Sequence, residues 1–312
     1  MCFGFNAPGA LRRSLEEKGV DRRGFLRGAV AAGVGVGLAG MGGAAAVAAP
    51  ATQAGRPVPP GLISIQLYTL RSIMRGDGVD ATLASLANYG FTKVELAGLY
   101  GRTAEAMRST LDSLGIKPSS SHDGISATPA ALETKIANAV TLGQTHINVP
   151  YLVSSSKSDW ERWADQMNAE ASVARESGLK YGYHNHAHEF TTDLGGGLTP
   201  WEIFTSRLDP KLVHLEVDLY WAVAGGIGVG AADPVGFAID TILQAPQKVL
   251  QYHVKDRAVA GDFADLGTGT INFARIFRAH TPKEYIVEND QPDVTPLQTA
   301  EVGYNYLRTL RF

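Results

Sequence analysis

The chain has 312 residues, 45% of them hydrophobic and 19% charged, which allows a large buried core and excludes the low-hydropathy, high-charge bias of disordered chains. A formal net charge of -3 and a pI near 6.2 give no overall attraction to a polyanion, so the expected partner is a small ligand and not nucleic acid. Cys2 is the only cysteine, so a disulfide framework and a thiolate metal site are both excluded, and any metal must be held by His, Asp and Glu.

Near the start, Asp21-Arg22-Arg23-Gly24-Phe25-Leu26-Arg27 precedes an apolar run from Gly28 to Ala48, with Ala46-Val47-Ala48 offering small residues for cleavage. This pattern resembles a twin-arginine export signal, which implies passage through the twin-arginine translocation machinery and a periplasmic or secreted mature form. A membrane anchor is the competing reading, disfavoured because Gly and Ala stand where Leu and Ile would be expected. Residues 1–55 are therefore read as signal and linker, and 56–312 as one domain.

Past the linker Arg56 to Pro60, one grammar repeats: a short β-rich run, a polar loop, then an amphipathic helical stretch. Strands are expected at Leu62–Leu67, Lys93–Leu96, Lys117–Ser121, His146–Val149, Lys180–Asn185, Val213–Asp218, Val249–Lys255 and Tyr285–Glu288. Helices are expected at Val79–Tyr89, Ala104–Leu114, Thr128–Leu142 and Ser158–Ser177, each closed by a glycine (Gly90, Gly115, Gly143 and Gly178). Eight strands alternating with helices predict an α/β fold, a (β/α)8 TIM barrel, in preference to an open doubly wound sheet. The glycine runs 195–197 and 225–230 lack a nucleotide-binding order and read as flexible loops.

In such a barrel the reactive groups finish the strands. Strand five runs into His184-Asn185-His186-Ala187-His188-Glu189, strand six ends in Asp218, strand seven carries His253-Val254-Lys255-Asp256, and strand eight ends in Glu288-Asn289-Asp290. Imidazoles and carboxylates without thiolate suit a divalent metal, Mn²⁺ first, with Mg²⁺, Co²⁺ or Zn²⁺ as alternatives. His184, His186 and His188 share one face at period two, and one of them is expected to be structural.

Together with Val94-Glu95-Leu96, the strand-five His-Asn-His, Val217-Asp218-Leu219-Tyr220-Trp221, His253 to Asp256 and Leu266 to Ile271, these residues make the chain from about Leu62 onward resemble the sugar phosphate isomerase/epimerase-like family of xylose-isomerase-like TIM barrels. The resemblance implies metal ligands at His184, Asp218, His253 and Glu288. It implies an isomerase or epimerase that abstracts an α-proton from a sugar or keto-sugar and stabilises an enediolate. One departure matters: ketose 3-epimerases of this family carry Glu where strand five here has His184. That substitution brings a 3-keto-glycoside or inosose-type lyase or dehydratase into view; a metal-dependent hydrolase and a non-catalytic sugar-binding barrel are the readings from other classes. The catalytic residues expected are His186, Lys255, Glu189 and Glu288, with Glu95, His122, Gln66 and Trp221 touching substrate; His122 is also a candidate base. Glu95 is equally compatible with a salt bridge, and Trp221 with barrel packing. Endonuclease IV, a relative on the same barrel, needs more histidines: where it carries further ligands this chain has Trp221 and Asp265-Leu266-Gly267. The partner is thus a carbohydrate, and assembly into a homo-oligomer is left open.

Overall fold

The computed structural model describes residues 55–312; the twin-arginine stretch and its apolar run lie outside them. Six strands form a parallel ladder: β1 (Ile63–Ile65), β4 (His146–Val149), β5 (Lys180–His184), β6 (Val213–Asp218), β7 (Val249–Val254) and β8 (Glu284–Val287), ordered β1-β8-β7-β6-β5-β4. β2 (Lys93–Leu96) and β3 (Lys117–Ser121) pair with each other. Single parallel bridges, Gln66 to Glu95 and His122 to Asn148, join this pair to the ladder on both sides. The eight strands therefore close a TIM barrel whose seams are sealed at the carboxyl end, where the site residues lie.

The helices follow the expected spacing: α1 (Gly78–Tyr89), α2 (Ala104–Ser113), α3 (Pro129–Leu142) and α4 (Lys157–Glu176). Thr103 and Thr128 cap α2 and α3 by accepting from Ala106 N and Ala131 N. Gly90 and Gly143 leave α1 and α3 in the left-handed conformation that costs a glycine little. The second half adds α5 (His188–Thr191), α6 (Pro200–Arg207), α7 (Leu219–Gly228), α8 (Pro234–Gln244), α9 (Phe273–Ala279) and α10 (Pro296–Thr309), together with a short hairpin, Asp256–Arg257 against Phe263–Ala264. Among the described residues no helix is long and apolar enough to cross a membrane.

The glycines at 225–228 belong to helix α7 and not to a flexible loop. Side chains from neighbouring elements press against them: a Cβ on Gly225 would lie 2.6 Å from the Phe190 ring, and one on Gly228 2.6 Å from Thr191 Cγ2. Close approach, not chain freedom, is what these glycines provide. The run 195–197 is a loop with positive φ at all three residues.

A ring of apolar packing surrounds the barrel, with Trp160, Phe204, Phe273 and Phe277 fully buried between strands and helices. The interior is unusual in being polar. Alternation along β6 sends His214, Glu216 and Asp218 to one face and Val213, Leu215 and Val217 to the other, and the first set faces the axis. Gln66, Glu95, Asn148 and Gln251 join it, all fully buried. Gly182 faces the same layer, where a Cβ would lie 2.3 Å from Asn148 Oδ1 and 2.5 Å from His214 Nε2.

Candidate active site

Asp218 is the hinge between strand and site. As the last residue of β6 it also caps α7: its Oδ1 accepts from Trp221 N at 3.0 Å. Its backbone N–H and carbonyl are held by the Asn185 side chain, at 3.0 and 3.4 Å. The second oxygen, Oδ2, is buried with no hydrogen bond, 3.0 Å from the Lys255 ammonium and 3.8 Å from His184 Nε2. One donor atom from each of His184, Asp218, His253 and Glu288 falls within 4.8 Å of all the others. A mixed imidazole and carboxylate set of this kind fits a divalent cation.

Strong fields act on these groups. Burial opposes the charge on His253, but Glu216, Glu288 and Glu95 overcome it and hold the imidazole well above its ordinary range. Burial likewise opposes ionisation of Glu288, yet Lys255 and His253 keep it well below the usual carboxylate range. His184 is pushed down to about 4 by burial and then by His253. Lys255, fully buried, is held charged against desolvation by Asp218, Glu288 and Asp290. Its Nζ lies 2.7 Å from Glu288 Oε2 and 3.1 Å from Asp290 Oδ2. Burial and the Glu288 charge raise Asp290 to about 6.

A cavity of about 530 Å³ opens over this cluster, lined by His122, His184, His186, Lys255 and Glu288 among the expected residues, and by Tyr68, Arg71, Tyr151, Phe263, Asp290 and Gln291. Asp218 and His253 lie just beneath, fully buried. His186 packs edge-on against Tyr151 at 5.0 Å and tilts over Trp221 at 5.2 Å; burial and the neighbouring His184 and Lys255 lower it to about 2, which makes it a weak base.

Four of the expected catalytic and substrate-contacting residues lie outside the cavity lining. Glu189 does not reach the cavity: it is fully buried and turned back into α5, accepting from the Tyr183 hydroxyl at 2.5 Å and from His186 N at 2.8 Å. Gln66 and Glu95 lie below the cavity, joined at 2.8 Å, with Glu95 also 2.7 Å from His253 Nε2. They support the imidazole and do not line the cavity. Trp221 stands behind His186 and Phe263, 5.6 Å from Lys255 Nζ, as a wall supporting the lining and not as part of it. His188 is spent on Leu152 O at 2.7 Å. His214 pairs edge-on with His146 at 5.0 Å in the barrel interior.

Glu216 and Asp290 went unassigned from the sequence. Glu216 sits two residues before Asp218, so strand alternation alone places it on the same inward face, and that signal was available. Asp290 lies past the strand end, where the path of the loop decides its direction. Asp256, adjacent to Lys255, does not pair with it. Its carboxylate accepts from the N–H groups of Arg257, Gly267, Gly269 and Ile271 at 2.8 to 3.2 Å, folding the 256–271 loop that brings Phe263 to the cavity.

The same fold appears in known proteins. The family model described as xylose isomerase-like TIM barrel matches residues 67–296. Inosose dehydratase of Geobacillus kaustophilus is 25% identical over 282 residues, 74% of this chain and 87% of that protein. A sugar phosphate isomerase/epimerase of Parabacteroides distasonis superposes with a TM-score of 0.66 at 23% identity, over 84% of this chain and 99% of that one. The IOLI protein with a binding zinc atom gives 0.61 at 14% identity, over 80% of this chain and 99% of the other. With the family model spanning most of its length and the closed barrel beneath the site, the chain belongs to the xylose isomerase-like TIM barrel family.

Proposed function

We propose that this protein is a divalent-metal-dependent enzyme of sugar isomerase/epimerase type that removes a proton beside the carbonyl of a sugar or keto-sugar. The observation that carries this reading is the convergence of four ligand atoms, the Lys255 ammonium and the Asp290 carboxyl on one cavity. His184, Asp218, His253 and Glu288 would hold the ion, with Mn²⁺ as first choice. When bound, the ion supplies the positive charge that polarises a carbonyl and stabilises an enediolate. Asp290, lining the cavity 3.1 Å from Lys255 Nζ, is placed to take the α-proton, a role worth about 10²- to 10⁴-fold. Lys255, charged and pinned between Glu288 and Asp290, donates to the oxygen on which negative charge develops. Tyr68, Tyr151 and Phe263 give the cavity apolar walls of the kind on which a sugar ring rests. Export by the twin-arginine route belongs to the same reading and favours an unphosphorylated substrate.

One observation favours a second outcome of the same enolisation. His184 occupies the strand-five position, so two carboxylates do not face each other across the substrate as a two-base epimerisation requires. Elimination of water from a keto-sugar needs only one base and one acid, and the similarity to an inosose dehydratase supports that variant. The test is incubation of the metal-loaded protein in D₂O with ketoses, inososes and 3-keto-glycosides. Deuterium at the α-carbon is expected, accompanied by epimer or by unsaturated product, and lost together with bound Mn²⁺ in Asp218→Ala and His253→Ala. Full turnover by the metal-stripped protein would sink the proposal.

A further inference from the structure

Beneath the cluster that faces the cavity lies a second one built from the same two imidazoles turned the other way. His184 and His253 each have two ring nitrogens. His184 Nε2 and His253 Nδ1 face Asp218 and Glu288, at 3.8 and 2.7 Å. His184 Nδ1 and His253 Nε2 face inward to Glu216 Oε2, both at 3.3 Å. His122 Nε2 completes the inner set at 2.8 Å from the same oxygen, its ring stacked parallel to His253 at 5.1 Å. One donor atom from each of these four residues again lies within 4.8 Å of all the others.

We propose that His122, His184, Glu216 and His253 form an inner cation seat, distinct from the outer one at Asp218 and Glu288, selective for a tetrahedral borderline ion of the Zn²⁺ or Co²⁺ kind. Three observations carry it. Tetrahedral coordination at about 2.0–2.1 Å sets donor atoms roughly 3.3 Å apart, the spacing of His184 and His253 from Glu216, with His122 nearer at 2.8 Å. His184 Nδ1 is buried and makes no well-aligned hydrogen bond, its neighbour being the Glu216 carboxylate oxygen at 3.3 Å, so a cation seated between them would satisfy both. The Glu216 carboxylate is held in place from behind, its Oε1 accepting from Asn148 Nδ2 at 2.7 Å.

The donor sets differ in kind. Three imidazoles and one carboxylate suit a nitrogen-preferring ion, whereas two imidazoles and two carboxylates, with Asp290 nearby, suit a harder one such as Mn²⁺. A neutral imidazole has one lone pair, so a histidine that ligates inward carries its proton on the outward nitrogen, where Glu288 accepts it from His253. Occupation of the two seats is therefore exclusive, and the chain binds one ion at a time.

The experiment uses the full chain, stripped with a chelator and reloaded with Co²⁺, read by metal content and by visible absorption, which is intense for four-coordinate Co²⁺ and weak at higher coordination. The wild type is expected to take one Co²⁺ per chain with the intense band. Asp218→Asn/Glu288→Gln should keep both the ion and the band. His122→Gln should lose the band while holding Co²⁺ at the outer seat. Circular dichroism of the metal-free forms checks folding, and Glu288→Gln alone replaces the double variant if that one fails to fold. A band that disappears with the outer carboxylates and survives in His122→Gln would overturn the inner seat, as would two ions per wild-type chain. Uptake of one Co²⁺ without the band would overturn it while leaving the outer metal centre standing; no uptake at all would overturn both.

Discussion

Two buried lysine–carboxylate clusters sit on opposite sides of the barrel wall, and they differ in what they leave unsatisfied. Outside the barrel, Lys135 bonds Gly124 O at 2.7 Å and Glu170 at 2.8 Å. Glu170 in turn accepts from Ser126 N and from the Tyr181 hydroxyl, both at 2.8 Å. None of the buried polar atoms of these four residues lacks a partner. At the mouth, Lys255 faces three carboxylates, Asp218, Glu288 and Asp290, and both Asp218 Oδ2 and His184 Nδ1 have no hydrogen bond. A buried polar atom without a hydrogen bond costs about 1–3 kcal/mol, so a cluster that keeps His184 Nδ1 in that state and sets three carboxylates against one ammonium is arranged for a ligand, whereas a closed one is arranged for the fold.

Exchanging the two lysine clusters' fates would break this contrast. The largest effect is expected from Lys255→Met, which should lower turnover by about 10²- to 10³-fold while leaving the protein folded and metal-bound, as measured by kcat and metal content. Loss of folding with no specific effect on turnover would place Lys255 with Lys135 as a structural residue. Glu170→Ala should do the opposite, costing about 3–5 kcal/mol in denaturant unfolding with metal content unchanged, because it removes the buried carboxylate that Lys135, Ser126 and Tyr181 share.

A smaller effect sharpens the difference between the polar floor of the barrel and its mouth. His146 and His214 are buried neutral; burial and then His214 hold His146 down to about 3, and burial holds His214 down to about 4. Both folded values lie below the unfolded value, so the unfolded chain takes up protons first. Their contribution to stability is complete above about pH 6.5 and is lost as pH falls toward 4. The loss by pH 4 should be about 3 kcal/mol for each histidine, seen as a falling Tm, and His146→Gln should flatten that slope. An unchanged slope in the variant would mean that the floor does not set acid stability.

Strand ends were readable because the period of two and the glycine stops are local. Seven of the barrel strands match expectation to within one residue at either end, and β1 is the exception, pairing only over Ile63–Ile65 before Gln66 turns to cap Leu67–Leu70. Helix α7 was not readable, because its glycines are explained by Phe190 and Thr191, residues distant in sequence. Glu189 turns away from the mouth for a local reason, its partners being the Tyr183 hydroxyl six residues back and His186 N.

The sequence by itself determined which chemistry this protein can hold: one cysteine at the second position, and His, Asp, His and Glu at the ends of four adjacent strands, leave only nitrogen and oxygen ligands at the mouth of a barrel. Only the tertiary structure decided which way those groups face. Closure of the barrel brings Glu95 and Glu216 beneath the two imidazoles and Lys255 and Asp290 above them, and the field from all four sets the charge on each. Strand period fixes a side chain's face, whereas its partners come from residues 30 to 160 positions away, and no local pattern encodes them.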